Sequence, residues 1–147
     1  MTDPRLAIKP PEWIKGMNEQ LMQDGSVPLD VLLVPGRRSG VLRSTPLTVA
    51  ELDGRRYVIG GFPAADWIKN VRAAGGGTLA AHDGTTEEVR LVEVGEEEAL
   101  PVLRAWPEVT PDGVEMMRDA GVVTDVTPDA MAEAVGICPV FRVERAA

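Results

Sequence analysis

The sequence predicts an α+β domain built on a small antiparallel barrel, and three observations carry that prediction. Two hairpin signals, Asp53-Gly54 and Asp83-Gly84, each separate two stretches of strand character. Helical periodicity is confined to stretches lying before, between and after those hairpins. Glycine (15) and proline (12) are abundant, which suits many short elements joined by tight turns. At 147 residues the chain is expected to form one domain, 1–147, long enough to bury a single continuous core.

Taken in order, residues 1–25 form an N-terminal arm and helix. "PEWIKGMNEQLMQD" (11–24) places Trp13, Met17 and Leu21 four apart, with Ile14 and Met22 beside them and Gly25 as a stop. Packing of this stripe on the core is the expectation; contact with a membrane surface is the alternative. "DVLLVPG" reads as a buried strand and "RSTPLTVAEL" as a second. "RRYVIGGF" returns from the Asp53-Gly54 turn. "AADWIKNVRAAGGG" is a short helix carrying Trp67, Ile68 and Val71, closed by three glycines. "TLAAHDGTTEEVRLVEV" is the second hairpin.

The last third is mostly helical, with a helical segment over 108–136. "EEEALPVLRAW" carries Glu96, Glu97 and Glu98 in its first turn, where acids suit the helix dipole. "VTPD" occurs twice, at 109–112 and 126–129; threonine as N-cap and proline at the first helical position explain both without a ligand. "CPVFRVER" closes the chain as a strand.

Composition excludes several classes. A net charge of −8 opposes a general nucleic-acid binder, which requires a broad basic face. No apolar run approaches the roughly 18 residues of a membrane span. The N-terminal "MTDPRLAIKPPEW" lacks the apolar core of a signal peptide, so the expected compartment is the cytoplasm. Cys138, the single cysteine, sits among apolar neighbours and is expected to be a buried, inert thiol. His82, the single histidine, lies beside a turn. No metal site and no Ser-His-Asp or Cys-His arrangement can be built from so little.

One stretch stands against the acidic background. Between Val31 and Ala50 there are three arginines, Arg37, Arg38 and Arg43, and no Asp or Glu. Between Gly84 and Glu115 there are nine acids and two arginines. Gly36 and Gly40 flank the basic cluster and let the backbone bring N–H groups close to an anion. Arginine adds planar donors suited to phosphate or carboxylate oxygens. From spacing alone, a localised anion site and a set of solvated hairpin arginines both remain open.

"GRRSGVLRSTPL" (36–47) resembles the GR(K/R)SG-x-x-R-x-x-PL signature of the deazaflavin-dependent nitroreductase family. That family binds the 5-deazaflavin coenzyme F420 on a split β-barrel related to the pyridoxamine-phosphate oxidase and FMN-binding proteins. The resemblance continues through "DGRRYVIGG", through a W-x-x-N-L-x-A helix met here by Trp67, Asn70, Val71 and Ala73, and into "CPVFRV". It implies that Gly36, Arg37, Arg38, Ser39, Gly40 and Arg43 hold the phosphate and the anionic glutamyl tail. It implies also that Pro46, Leu47 and the segment Ile59, Gly60, Gly61, Phe62 flank the ring, with Trp67 and Asn70 bordering the cleft. Trp67 reads equally as a core aromatic, and Asn70 as a partner for a local backbone group.

The chain departs from the family in two places. Where many members have a longer glycine-rich, lysine-bearing loop before the tryptophan, this chain has "GGFPAADW", leaving Lys69 or Arg72 as replacements. Where nitroimidazole-activating members place tyrosines about the substrate, this chain has Trp106, Met116, Met117 and Met131; its one tyrosine, Tyr57, lies far earlier.

The implied activity is transfer of a hydride from reduced F420 to a planar, electron-poor acceptor: a quinone, a nitroaromatic, or a coumarin-like or aflatoxin-like enone. Two alternatives stay open, an FMN-dependent flavin reductase or oxidase on the same barrel and a non-catalytic carrier of cofactor or apolar ligand. No acid or base stands out, and the chain is expected to be a monomer or a homodimer.

Overall fold

In the computed structural model, which describes residues 3–24 and 30–146, strands and helices interleave along the chain. A 3-10 turn at Pro4–Ala7 leads into helix α1, Glu12–Asp24. Strands β1 (Asp30–Pro35), β2 (Leu42–Leu47), β3 (Ala50–Leu52) and β4 (Arg55–Ile59) follow. Helix α2 (Asp66–Ala74) leads to β5 (Gly76–Ala80) and β6 (Thr86–Glu93). Helices α3 (Glu96–Val109), α4 (Pro111–Asp119) and α5 (Pro128–Ala132) precede the last strand, β7 (Val140–Arg145).

All strand pairs are antiparallel, in the order β2-β1-β5-β6-β7-β4-β3. A flat sheet of seven strands would hold its edges about 29 Å apart, at about 4.8 Å per spacing. Yet β2 and β3 are those edges, and only Thr48 and Val49 separate them. Three peptide links reach no more than about 11 Å, so the sheet must curl until its edges meet. The result is a barrel split between β2 and β3. The single strand expected over "RSTPLTVAEL" is therefore two, because its halves form opposite edges of the sheet, one beside β1 and the other beside β4. Pro46, which has no N–H, is tolerated on an edge strand.

Alternation along the strands builds two cores, one on each face of the sheet. Leu32, Val34, Val58, Leu79 and Phe141 point into the barrel, where Ile68 and Val71 of α2 close one end. On the outer face, Tyr57, Ile59 and Val140 pack under α3, α4 and α5, against Leu103, Trp106, Val114, Met117 and Met131. Strand β4 consequently buries three successive residues, Tyr57, Val58 and Ile59.

Local signals explain the ends of the elements. Thr110 and Thr127 accept the N–H groups of Gly113 and Ala130, with Pro111 and Pro128 opening α4 and α5. Asp53 and Gly54 both adopt positive φ, as a tight hairpin turn requires. Of the three glycines after α2, only Gly75 ends the helix, with φ 78°. Gly76 and Gly77 belong to β5, where a Cβ would overlap the Val89 and Leu33 carbonyls.

One residue of the α1 stripe differs from expectation, while Met17, Leu21 and Met22 are half-buried. Ile14 is the residue the helix buries, while Trp13 is 58% exposed. The expected stop at Gly25 lies outside the described residues. Among the described residues, no helix is long and apolar enough to cross a membrane.

Candidate functional site

The β1–β2 loop carries the arginines. Gly36 N–H donates to the Val41 carbonyl at 2.8 Å, and Gly40 N–H returns to the Gly36 carbonyl at 2.9 Å. Gly40 makes this return with φ 73°, a conformation that disfavours any side chain. Ser39 Oγ accepts the Val41 N–H at 3.2 Å. A Cβ built on Gly36 would lie 3.1 Å from Ser39 Oγ and 3.7 Å from Arg43 Nε, so Ser39 and Arg43 converge over that glycine. Cross-strand pairing explains the convergence. Arg43 stands opposite Val34, on the face of β2 that turns into the barrel mouth.

Helix α2 supplies the other wall. The Asn70 side chain is buried, and its Oδ1 accepts the Arg37 backbone N–H at 3.1 Å and the guanidinium at 2.9 Å. Arg37 also reaches Asp66 at 3.5 Å. Sequence reasoning did not single out Asp66, although its position four residues before Asn70 puts both on one helix face.

Charge pairing separates the arginines. Of the twelve in the sequence, ten lie within 4.0 Å of a carboxylate among the described residues. The two that do not are Arg38, in this loop, and Arg43, at the start of β2, both exposed. Arg72 is engaged by Glu93 through two bonds of 2.9 Å, whereas Lys69, exposed on α2, has no such partner among the described residues.

The segment after β4 is shaped by contact. Gly60 N–H donates to the Pro139 carbonyl at 2.8 Å, and Ile68 and Pro139 occupy the space that its Cβ would take. Gly61 lies against Met117, with Sδ 3.1 Å from its Cβ position. Phe62 packs against both cores, and Leu47 and Trp67 against the barrel core. Trp67 meets Phe141 at 6.2 Å between ring centres, tilted by 54°. That pair contributes about 0.5–1.5 kcal/mol beyond its burial. Pro46 is half-buried, and Ile59 belongs to the outer core.

The residues named from the sequence thus fall into two groups. The loop from Gly36 to Arg43, Gly60 to Phe62, Trp67 and Asn70 are linked at the α2 end of the barrel. Trp106 and Met117 lie buried in the outer core, where Met117 backs Gly61 from inside; Met116 is half-exposed beside it.

A charged network that the sequence did not reveal sits away from the loop. Tyr57 Oη donates to Glu98 Oε2 at 2.9 Å, and Arg142 donates to both Glu98 oxygens at 2.9 and 2.7 Å. Arg142, then Tyr57, holds the Glu98 carboxyl below its ordinary range, while burial and then Glu98 push the Tyr57 hydroxyl up. Two shallow hollows of about 400 and 350 Å³ flank the β3–β4 turn here, with Arg55 lining both. Neither reaches the arginine loop, and the arginines and glutamates lining them are already paired.

His82, in the β5–β6 turn, donates its backbone N–H to Asp30 at 2.9 Å with Nδ1 3.0 Å from the same oxygen, a contact that ties the turn to β1. Cys138 is buried, and burial pushes its thiol up to about 12.

No protein-family model matches the chain, and no curated protein does. Solved structures do match. One described as a domain-swapped dimer is 22% identical, over 90% of this chain and 98% of its own, with a TM-score of 0.55. Another, described as an F420-H2 dependent reductase (FDR-A), is 22% identical over 80% of this chain and 94% of its own, with a TM-score of 0.54. With its curled seven-stranded sheet and flanking helices, the chain has the α+β split-barrel fold of these two structures.

Proposed function

We propose that the chain is an F420-dependent oxidoreductase that reduces a planar, electron-poor acceptor, namely a quinone, a nitroaromatic, or a coumarin-like or aflatoxin-like enone. The observation that carries this reading is the pair Arg38 and Arg43, the two arginines left without a carboxylate among the described residues, set at the mouth of a barrel shared with an F420-H2 dependent reductase. Unpaired guanidinium groups in a protein of net charge −8 suit a ligand with several negative charges.

Coenzyme F420, when bound, supplies the two-electron hydride. The chain's own residues bind and shield it. Arg38 and Arg43 take anionic oxygens of the phosphate and glutamyl tail, and Ser39 adds a hydroxyl beside them. The backbone of Gly60 and Gly61 flanks the ring, with Ile68, Pro139 and Met117 packed where their side chains would stand. Phe62, Leu47 and Trp67 form an apolar border that excludes water. Tyr57 is committed to Glu98 and the Cys138 thiol is buried, so protonation of the reduced acceptor falls to solvent. The proposal includes the cytoplasm as compartment and a homodimer as assembly, the latter resting on the dimer described for one similar structure.

Titration of the protein with F420 and with FMN, read by cofactor fluorescence, tests the reading. F420 should bind, and Arg38→Ala or Arg43→Ala should each weaken it roughly 10- to 100-fold, the cost of one charge-assisted hydrogen bond. Binding of FMN alone would replace the proposal with a flavin enzyme. Binding of F420 without oxidation of its reduced form by menadione, a nitroaromatic or a coumarin would leave a carrier.

A further inference from the structure

Asn70 is 5% exposed and, aromatic residues and Cys138 apart, is the one buried polar side chain among the described residues. An amide in an apolar setting is costly unless it is hydrogen-bonded, so its partner is informative. Both groups that reach its Oδ1 are donors, the Arg37 backbone N–H and guanidinium. A flipped amide would set NH2 against two donors, so the side-chain orientation is determined. The guanidinium reaches on to Asp66, one turn earlier on α2. The backbone hydrogen bonds of the loop, by contrast, stay inside it, from Gly36 to Val41 and from Gly40 to Gly36.

We infer that Arg37 is a clasp and not an anion ligand, and that Asn70 is a positioning residue which, through Arg37, sets the β1–β2 loop on α2 so that Arg38 and Arg43 face the ligand. This parts Arg37 from the two neighbours with which the signature groups it. Its charge is already opposed by Asp66 and one arm of its fork is spent on Asn70, whereas among the described residues Arg38 and Arg43 have neither commitment. The ligand-binding consequence rests on the proposed F420 site; the clasp is a property of the protein without ligand.

Trypsin supplies a ligand-free readout, because Arg37 and Arg38 are themselves cleavage sites. In the full chain without cofactor, Asn70→Ala should speed cleavage in this loop by about tenfold or more, the factor expected when one charge-assisted bond is lost. Asn70→Asp, which keeps an acceptor, should restore resistance. Should Asn70→Ala fail to fold, Arg37→Ala breaks the same contact from the exposed side and should speed cleavage after Arg38. Parent-like cleavage in these variants overturns the clasp. With F420, the Arg37→Ala/Asn70→Ala double variant should bind no more weakly than the weaker single variant. Losses that multiply would mean that Asn70 touches the ligand directly, and would overturn the positioning role. If no form binds F420, the proposed function falls while the trypsin result still judges the clasp.

Discussion

Gly60 and Ile68 meet with no room for a methyl group between them: a Cβ on Gly60 would overlap Ile68 Cδ1 and come within 2.9 Å of Pro139 Cγ. Ile68 is wholly buried in the barrel core, so it has little freedom to yield. The glycine is required by this packing, which seats α2 on the end of β4. Gly60→Ala should destabilise the fold by about 1–3 kcal/mol through overpacking. Chemical denaturation measures this, and an unchanged midpoint would show that α2 can shift freely.

Asp66 opposes the proposed ligand. Its carboxylate is 79% exposed and lies 3.5 Å from Arg37 at the edge of the arginine loop. Asp66→Asn should tighten F420 binding about two- to five-fold, in keeping with the small worth of exposed charge pairs. The gain should shrink as salt rises, because exposed charges are screened. A weaker complex would mean that Asp66 is needed to hold Arg37 in place.

The Glu98 network makes stability depend on pH with a definite sign. Arg142 and Tyr57 hold the Glu98 carboxyl below its ordinary value of 4.5. A depressed folded-state value contributes stability that is fully present above the ordinary range and is lost as pH falls through the folded value. Glu98→Gln should therefore lower the melting temperature at pH 7, with the difference from the parent closing below about pH 4 as the parent's carboxyl protonates. A difference that persists undiminished at pH 3 would assign it to packing instead.

Cys138 is predicted to resist thiol reagents in the folded protein. Burial hides the sulfur and pushes its titration up to about 12, so thiolate is scarce at pH 8. Ellman's reagent should report no fast-reacting thiol in the native protein and one after denaturation. Rapid labelling of the native chain would reveal opening of the outer core beside Gly61.

Turn and cap chemistry was legible because it is local. Asp53-Gly54, Thr110-Pro111 and Thr127-Pro128 act on backbone groups within three residues, and each sits where its residue types require. The arginine cluster was legible as a concentration of like charge in an acidic chain. Its division was not. Arg37, Arg38 and Arg43 are alike in sequence, and only contact with Asn70, 33 residues away, sets the first apart. Trp13 and Ile14 show the same limit, since adjacent apolar residues on a helix face different ways and the spacing did not say which of the two would be buried.

By itself, the sequence determined the kind of most elements, the turns and caps at several of their ends, and the stretch where basic charge is concentrated, because these depend on neighbours in the chain. Tertiary structure alone decided that one run of strand residues would bridge both edges of the sheet, that two glycines would sit under other carbonyls, and that one arginine of three would be tied down. Those outcomes depend on which distant groups compete for the same space and the same hydrogen bonds, and that competition is settled only when the sheet closes.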